Sequence, residues 1–224
     1  MNALEVALKI KDRWGGRVDI ISMGPIFVEQ ILRVGLAMGA DHLYLLSDKA
    51  FGGADTLATT YTLAKGIERI GDVDLVICGE ESSDGATGQV PSGLAEWLDL
   101  PQLTQIDQLE LTLNRSAAAG RRPTTGVVEL LEAPLPALAS IKVASNEPRF
   151  MDYRLKKEAF GDSKVTVWTK HDLDVQENQL GLPGSPTRVS GLEQAPSRDR
   201  KRIKINGSSR EIAEQLSEII KNST

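Results

Sequence analysis

Apolar residues in the opening stretch, Leu4, Ala7, Leu8 and Ile10, fall at helical spacing and predict an amphipathic helix over residues 2–14. The run RVDIISMGP then turns β-branched and apolar, reads as a short strand, and stops at Gly24-Pro25. Phe27, Ile31, Val34, Leu36 and Met38 resume the helical period up to Gly39, a suitable C-terminal cap, and HLYLLSD follows as a second strand. A third helix is predicted to start with Asp55 or Thr56 as N-cap and to run to about Ile70 through Leu57, Tyr61, Leu63 and Ile67. VDLVICG is nearly all apolar, as a strand covered on both faces should be. Residues 76–98, VICGEESSDGATGQVPSGLAEWL, leave that strand, pass through a Gly/Ser/Asp-rich turn and end as a helix. This alternation predicts an α/β fold with a mostly parallel, Rossmann-like sheet and helices on both faces. Ligands of such sheets sit at the carboxyl ends of the strands, where the polar turn lies.

From Pro101 the signals become antiparallel: LTQIDQLEL, GVVELLEAP and PALASIKVA read as short strands between polar or Gly/Pro turns. Residues 146–164 are charged and aromatic without a clean period, and VTVW is one more short strand. Residues 174–200, with three prolines and three glycines, predict an extended arm. A strand over 202–205 and a helix close the chain, the helix opened by a Ser208/Glu211 capping box and given one apolar face by Ile212, Leu216, Ile219 and Ile220. The organisation expected is a nucleotide-binding α/β domain over 1–170 and, over 171–224, an arm, strand and helix packing on a partner.

Composition narrows the function classes. A chain of 224 residues, 41% hydrophobic and 25% charged, is an ordinary globular protein, and its net charge of −5 gives no global attraction to nucleic acid or anionic membrane. The single Cys78 rules out an intrachain disulfide framework, and two histidines far apart in the chain leave little for a metal site. No apolar run is long enough to span a bilayer and no signal segment opens the chain, so a cytoplasmic location is expected.

Two stretches carry candidate chemistry. After Gly79, the turn offers Ser82, Ser83, Asp84, Gly85, Thr87 and Gly88 at a helix N-terminus, where amides and glycines suit a phosphate, although the same residues also make a capped turn. It is neither a Walker A loop nor a dinucleotide fingerprint. In GGADTLATT, Thr56 and Thr59 share one face of a first helical turn beside unbonded amides; alternatively Asp55 caps and the threonines only weaken the helix. Cys78 reads as a small core residue, His42 and His171 have no triad or metal spacing, and Asp107, Glu110, Asp152 and Glu158 form no evident carboxylate pair. The basic run Arg198, Arg200, Lys201, Arg202 and Lys204 reads as a solvated face or a grip for an acidic partner. None of these groups performs bond chemistry by itself, so a cofactor must supply it.

The stretches ALAMGADHLYLLSDKAFGGADTLATTYTLA, VDLVICGEESSDGATGQV, APLPAL and NEPRF, in this order over most of residues 2–170, resemble the beta subunit of electron-transfer flavoproteins. The resemblance implies a fold related to the adenine nucleotide alpha hydrolases and a heterodimer with an alpha subunit that carries an FAD. The beta subunit then holds either a structural AMP or, in electron-bifurcating members, a second FAD that takes a hydride from NADH. Carried onto this chain, Gly79, Ser82, Ser83, Asp84, Gly85, Ala86, Thr87, Gly88 and Gln89 form the phosphate and adenosine loop, and Met23, Gly24 and Pro25 line the adenine side. ADTLAT and GLPGSPTRV resemble the bifurcating branch, which makes Thr56 and Thr59 pyrophosphate ligands and favours FAD over AMP.

Three departures from the family carry expectations of their own. Glu80 and Glu81 stand where a basic residue and Gln are common, and their carboxylates would repel a pyrophosphate unless they point away. After NEPR, the segment with Phe150, Met151, Tyr153 and Leu155 is expected to touch a redox partner, an acyl-CoA dehydrogenase or another, with Tyr153 where the family presents a Leu. Family members also have a central strand ahead of the helix that begins at Asn2; without it, both neighbouring strands would expose backbone and apolar side chains, and nucleotide would be held weakly or not at all. A structural AMP holder and a nucleotide sensor or ATP-using protein on the related fold are the alternative functions.

Overall fold

The computed structural model describes residues 1–82, 85–161, 164–191, 202 and 204–221. They form two compact units, Met1–Arg188 and Val189–Thr224. In chain order the first unit contains α1 (Asn2–Trp14), β1 (Asp19–Met23), α2 (Glu29–Met38), β2 (His42–Leu46), α3 (Thr56–Ile70), β3 (Leu75–Gly79), α4 (Val90–Trp97), β4 (Gln102–Ile106) and β5 (Gln108–Leu111). It continues with β6 (Ala117–Thr124), β7 (Val127–Pro134), β8 (Ala137–Ile141), α5 (Tyr153–Ala159) and β9 (Val165–Trp168). The second unit contains α6 (Ser209–Lys221), opened by the expected capping box: Glu211 Oε2 accepts from the Ser208 amide and hydroxyl, both at 2.8 Å.

The helices predicted through Trp97 form with the expected caps. Asp55, in extended backbone, opens α3, and Gly39 at φ 124 closes α2. Beyond Pro101 the structure corrects two expectations. β8, whose five residues are all buried, runs parallel between β3 and β4, so these segments complete a parallel sheet instead of an antiparallel extension. The antiparallel part is β5-β6-β7, and its middle strand was not foreseen. Arg202 and residues 204–206 form no strand, and Ile203 lies outside the described residues.

The parallel strands fall into two sheets, β1-β2-β9 and β3-β8-β4. α3 covers one face of both: Ile21 of β1 and Val76 and Cys78 of β3 pack in the cluster around Ala64, Ile67 and Leu94. α1 covers the other face, with Leu4 beside Ile20 and Leu36, and Val6, Ala3 and Ile10 beside Leu75 and Ile77. Yet among the described residues β1 pairs only with β2 and β3 only with β8. No ladder joins the two sheets between β1 and β3 among the described residues. Each strand is accordingly only partly buried despite its apolar sequence, and Asp19 Oδ1 at the head of β1 is buried without a hydrogen-bond partner.

Candidate functional site

α3 begins where β2 ends, and its first turn is held by Asp55. The carboxylate Oδ1 accepts from the amides of Leu57 (3.0 Å) and Ala58 (3.2 Å), while the Asp55 carbonyl accepts from the Thr59 amide (2.9 Å). Amides expected to be unbonded beside Thr56 and Thr59 are therefore already used by the cap. Thr60 and Thr62 turn inward and donate to the carbonyls of Leu57 and Ala58. Thr56 does something different: its hydroxyl donates to Gln89 Oε1 at 2.8 Å. Two motifs far apart in sequence thus meet side chain to side chain at the carboxyl edge of the sheet.

Close helix packing makes that meeting possible. A Cβ added at Gly93 of α4 would lie 2.8 Å from Thr60 Cγ2, so only glycine lets α3 and α4 approach this far. Gln89 precedes α4, and its carbonyl accepts from the Gly93 amide at 3.0 Å.

The loop between β3 and α4 is exposed from Ser82 and from Gly85 to Gln89, with Ser83 and Asp84 outside the described residues. The Ala86 amide donates to Ser82 O (2.9 Å), with Ala86 at φ 45 and Gly88 at φ 64 turning the chain through the left-handed region. Gly79 is exposed at the end of β3. Glu80 is tied down at both ends: its amide donates to Ile141 O and its carboxylate accepts from the Val143 amide, each at 3.0 Å. That carboxylate is committed to β8's exit and not to the turn.

Sequence reading missed the part played by residues 180–187. The Thr187 amide (3.0 Å) and hydroxyl (2.7 Å) both donate to Asp55 Oδ2, and the buried Ser185 hydroxyl accepts the Asp55 amide at 2.8 Å. Burial raises the Asp55 pKa, and the bonds from Thr187, Ala58 and Leu57 more than offset it, holding the carboxyl below its ordinary range. The Pro and Gly content of this segment reads as an arm and GLPGSPTRV resembles the bifurcating branch, but neither reveals the contact with Asp55, distant in sequence.

Other foreseen residues lie as follows. At the end of β1, the Gly24 amide donates to Leu46 O (3.0 Å), Pro25 is exposed, and Met23 packs beside Leu46 and Trp168. Phe150 (96% exposed), Met151 and Tyr153 (88%) stand out in water, whereas Leu155 lines a groove with Leu8 and Met38. Arg149 anchors this segment to α1 through Glu5 (2.9 Å) and Asp12 (2.7 Å). Cys78, packed beneath α3 and α4, has its thiol pushed by burial up to about 12, which removes it as a nucleophile. No three metal-ligating side chains cluster among the described residues, and none of their helices is long and apolar enough to cross a membrane.

Comparison with known proteins adds to this geometry. The family described as electron transfer flavoprotein domain matches residues 1–173. The electron transfer flavoprotein subunit beta of Thermoanaerobacterium thermosaccharolyticum is 39% identical over 97% of this chain and 82% of its own length. The protein of the same name from Clostridium acetobutylicum is 43% identical over 84% of this chain and 71% of its own. Subunit CarD of the caffeyl-CoA reductase-Etf complex of Acetobacterium woodii is 41% identical over 84% of this chain and 71% of its own.

Proposed function

Because the chain belongs to the electron-transfer flavoprotein beta-subunit family, we propose that it pairs with an alpha subunit and holds a second FAD at the carboxyl edge of its split sheet, carrying electrons from NADH or a dehydrogenase to downstream acceptors. The observation that carries this reading is the Thr56 to Gln89 hydrogen bond, which joins the two phosphate-suited motifs into one site. The residues fit the group. Thr56 and Thr59 offer hydroxyls to a pyrophosphate, Ser82 and Thr87 offer two more, and Gly79, Gly85 and Gly88 let backbone come close to an anion. The Glu80 carboxylate is bonded to the Val143 amide at the exit of β8 and adds little repulsion. Gly24 and Pro25, with Met23 behind them, border the adenine. FAD, when bound, supplies the redox chemistry, and the chain's share is binding, orientation and electrostatics.

The likeness to CarD, a subunit of a complex with a reductase, supports the bifurcating reading over the structural AMP reading. Phe150, Met151 and Tyr153 are apolar side chains held in water on an Arg149-anchored segment, which suits contact with a redox partner, an acyl-CoA dehydrogenase or another flavoenzyme. α6 keeps Leu216 and Ile220 exposed on one face, which suits docking on the alpha subunit, and the setting proposed is cytoplasmic. The test is to co-express the chain with its alpha subunit and count released nucleotides. Two FAD per heterodimer are expected, with one lost in Thr56→Val, Thr59→Val; one FAD with one AMP makes the chain a structural holder, bound ATP without a second flavin refutes the reading, and no nucleotide beyond the alpha FAD refutes it in favour of the expectation that this chain holds nucleotide weakly or not at all.

A further inference from the structure

Residues 180–187 fold back onto the head of α3 as a built piece of structure. Gly181, at φ 49, lies so close to the chain that an added Cβ would be 2.2 Å from Ala50 O and 2.7 Å from Gly52 O. The Leu182 amide donates to Gly52 O (3.1 Å), and the Leu182 side chain covers Gly53. Ser185 is 6% exposed; its hydroxyl donates to Gly181 O at 2.7 Å while accepting the Asp55 amide. The segment is thereby locked on both sides of Asp55, and its last link is Thr187.

Asp55 is an odd neighbour for a phosphate. Its carboxylate adjoins Thr56 in sequence and caps the same first turn of α3, so a pyrophosphate at the hydroxyls of Thr56 and Thr59 would feel it. All the lone pairs the structure uses on this carboxylate face donors: Oδ1 takes the α3 amides and Oδ2 takes both donors of Thr187. We propose that Thr187 is a positioning residue for the nucleotide site, holding the Asp55 carboxylate to the side of α3 that faces residues 180–187 so that Thr56 and Thr59 meet a phosphate without competition. Thr187 itself is exposed, so its two bonds are not needed to fill a core. A residue with no packing task that spends both its donors on the charge at a binding site acts on that charge.

The inference rests on the nucleotide reading above, and the experiment separates the two. FAD is titrated into the heterodimer depleted of its beta-chain nucleotide, for the wild type, Thr187→Val, Thr187→Ser and Thr56→Val, with urea midpoints measured alongside. Thr187→Val keeps the shape and loses the hydroxyl, and is expected to bind FAD about three- to tenfold more weakly because the Asp55 carboxylate is less firmly held aside. Its urea midpoint should stay at the wild-type value, and Thr187→Ser, which restores the hydroxyl, should restore affinity. Wild-type affinity in Thr187→Val together with weakened binding in Thr56→Val overturns the role of Thr187 alone. Equal losses in the Val and Ser variants also overturn it, because the hydroxyl is then not the agent. Wild-type affinity in Thr56→Val overturns the nucleotide reading and this inference with it.

Discussion

Glu5 is only 3% exposed on α1, and what keeps it charged there is Arg149, which reaches it with the guanidinium (2.9 Å) and the backbone amide (3.0 Å). Burial alone would push the carboxyl up; the hydrogen bonds and charge of Arg149 outweigh it and hold the group below the usual carboxylate range. A depressed folded value means that the unfolded chain binds the proton first as pH falls. The pair's contribution is therefore complete above the ordinary carboxylate range and is lost as pH drops through the depressed value. Arg149→Met strands a buried charge and is expected to cost about 3 kcal/mol at neutral pH, with the loss shrinking in acid. Urea unfolding followed across pH checks both statements; a loss independent of pH would assign the cost to packing alone. Adding Glu5→Gln to that variant should recover part of the stability, because no unpaired charge then remains.

Contacts between elements give the next scale. Gly93→Ala would force α3 and α4 apart at Thr60, an overpacking expected to cost about 1–3 kcal/mol. It should also separate Thr56 from Gln89, so retained nucleotide falls together with the urea midpoint; a stability loss with full nucleotide would mean that the helix spacing does not set the site. The elements up to α4 were legible because each carries its own period and cap, as Asp55 does for α3. β6 was not, since AAAGRRPT holds a Gly, a Pro and only one β-branched residue. It is a strand because β5 and β7 pair on either side and Ile106 fills the space over Gly120. The parallel membership of β8 was likewise hidden, because its partner β3 is distant in the chain and a short apolar run does not state a direction. Of the site, the threonines and the turn were legible as residue types. The bond between Thr56 and Gln89 and the grip of Thr187 on Asp55 were not, because only the fold brings them together.

At the scale of the whole molecule, the first unit is joined by helices more than by sheet. Among the described residues β2 and β8 are each flanked by two strands, while β1 and β3 are each flanked by one, and no ladder joins β1 to β3. α1 and α3 pack on strands of both sheets. Backbone hydrogen bonding therefore makes two cooperative blocks, one around β2 and one around β8, with a seam whose amides water can reach once the helices shift. Hydrogen exchange should find the slowest amides in β2 and β8 and much faster ones along β1 and β3, reversing the usual rule that protection peaks at the centre. Chemical unfolding should then proceed in two steps, one for each block, and a single transition with even protection from β9 through to β4 would mean that the helices alone weld the halves into one unit.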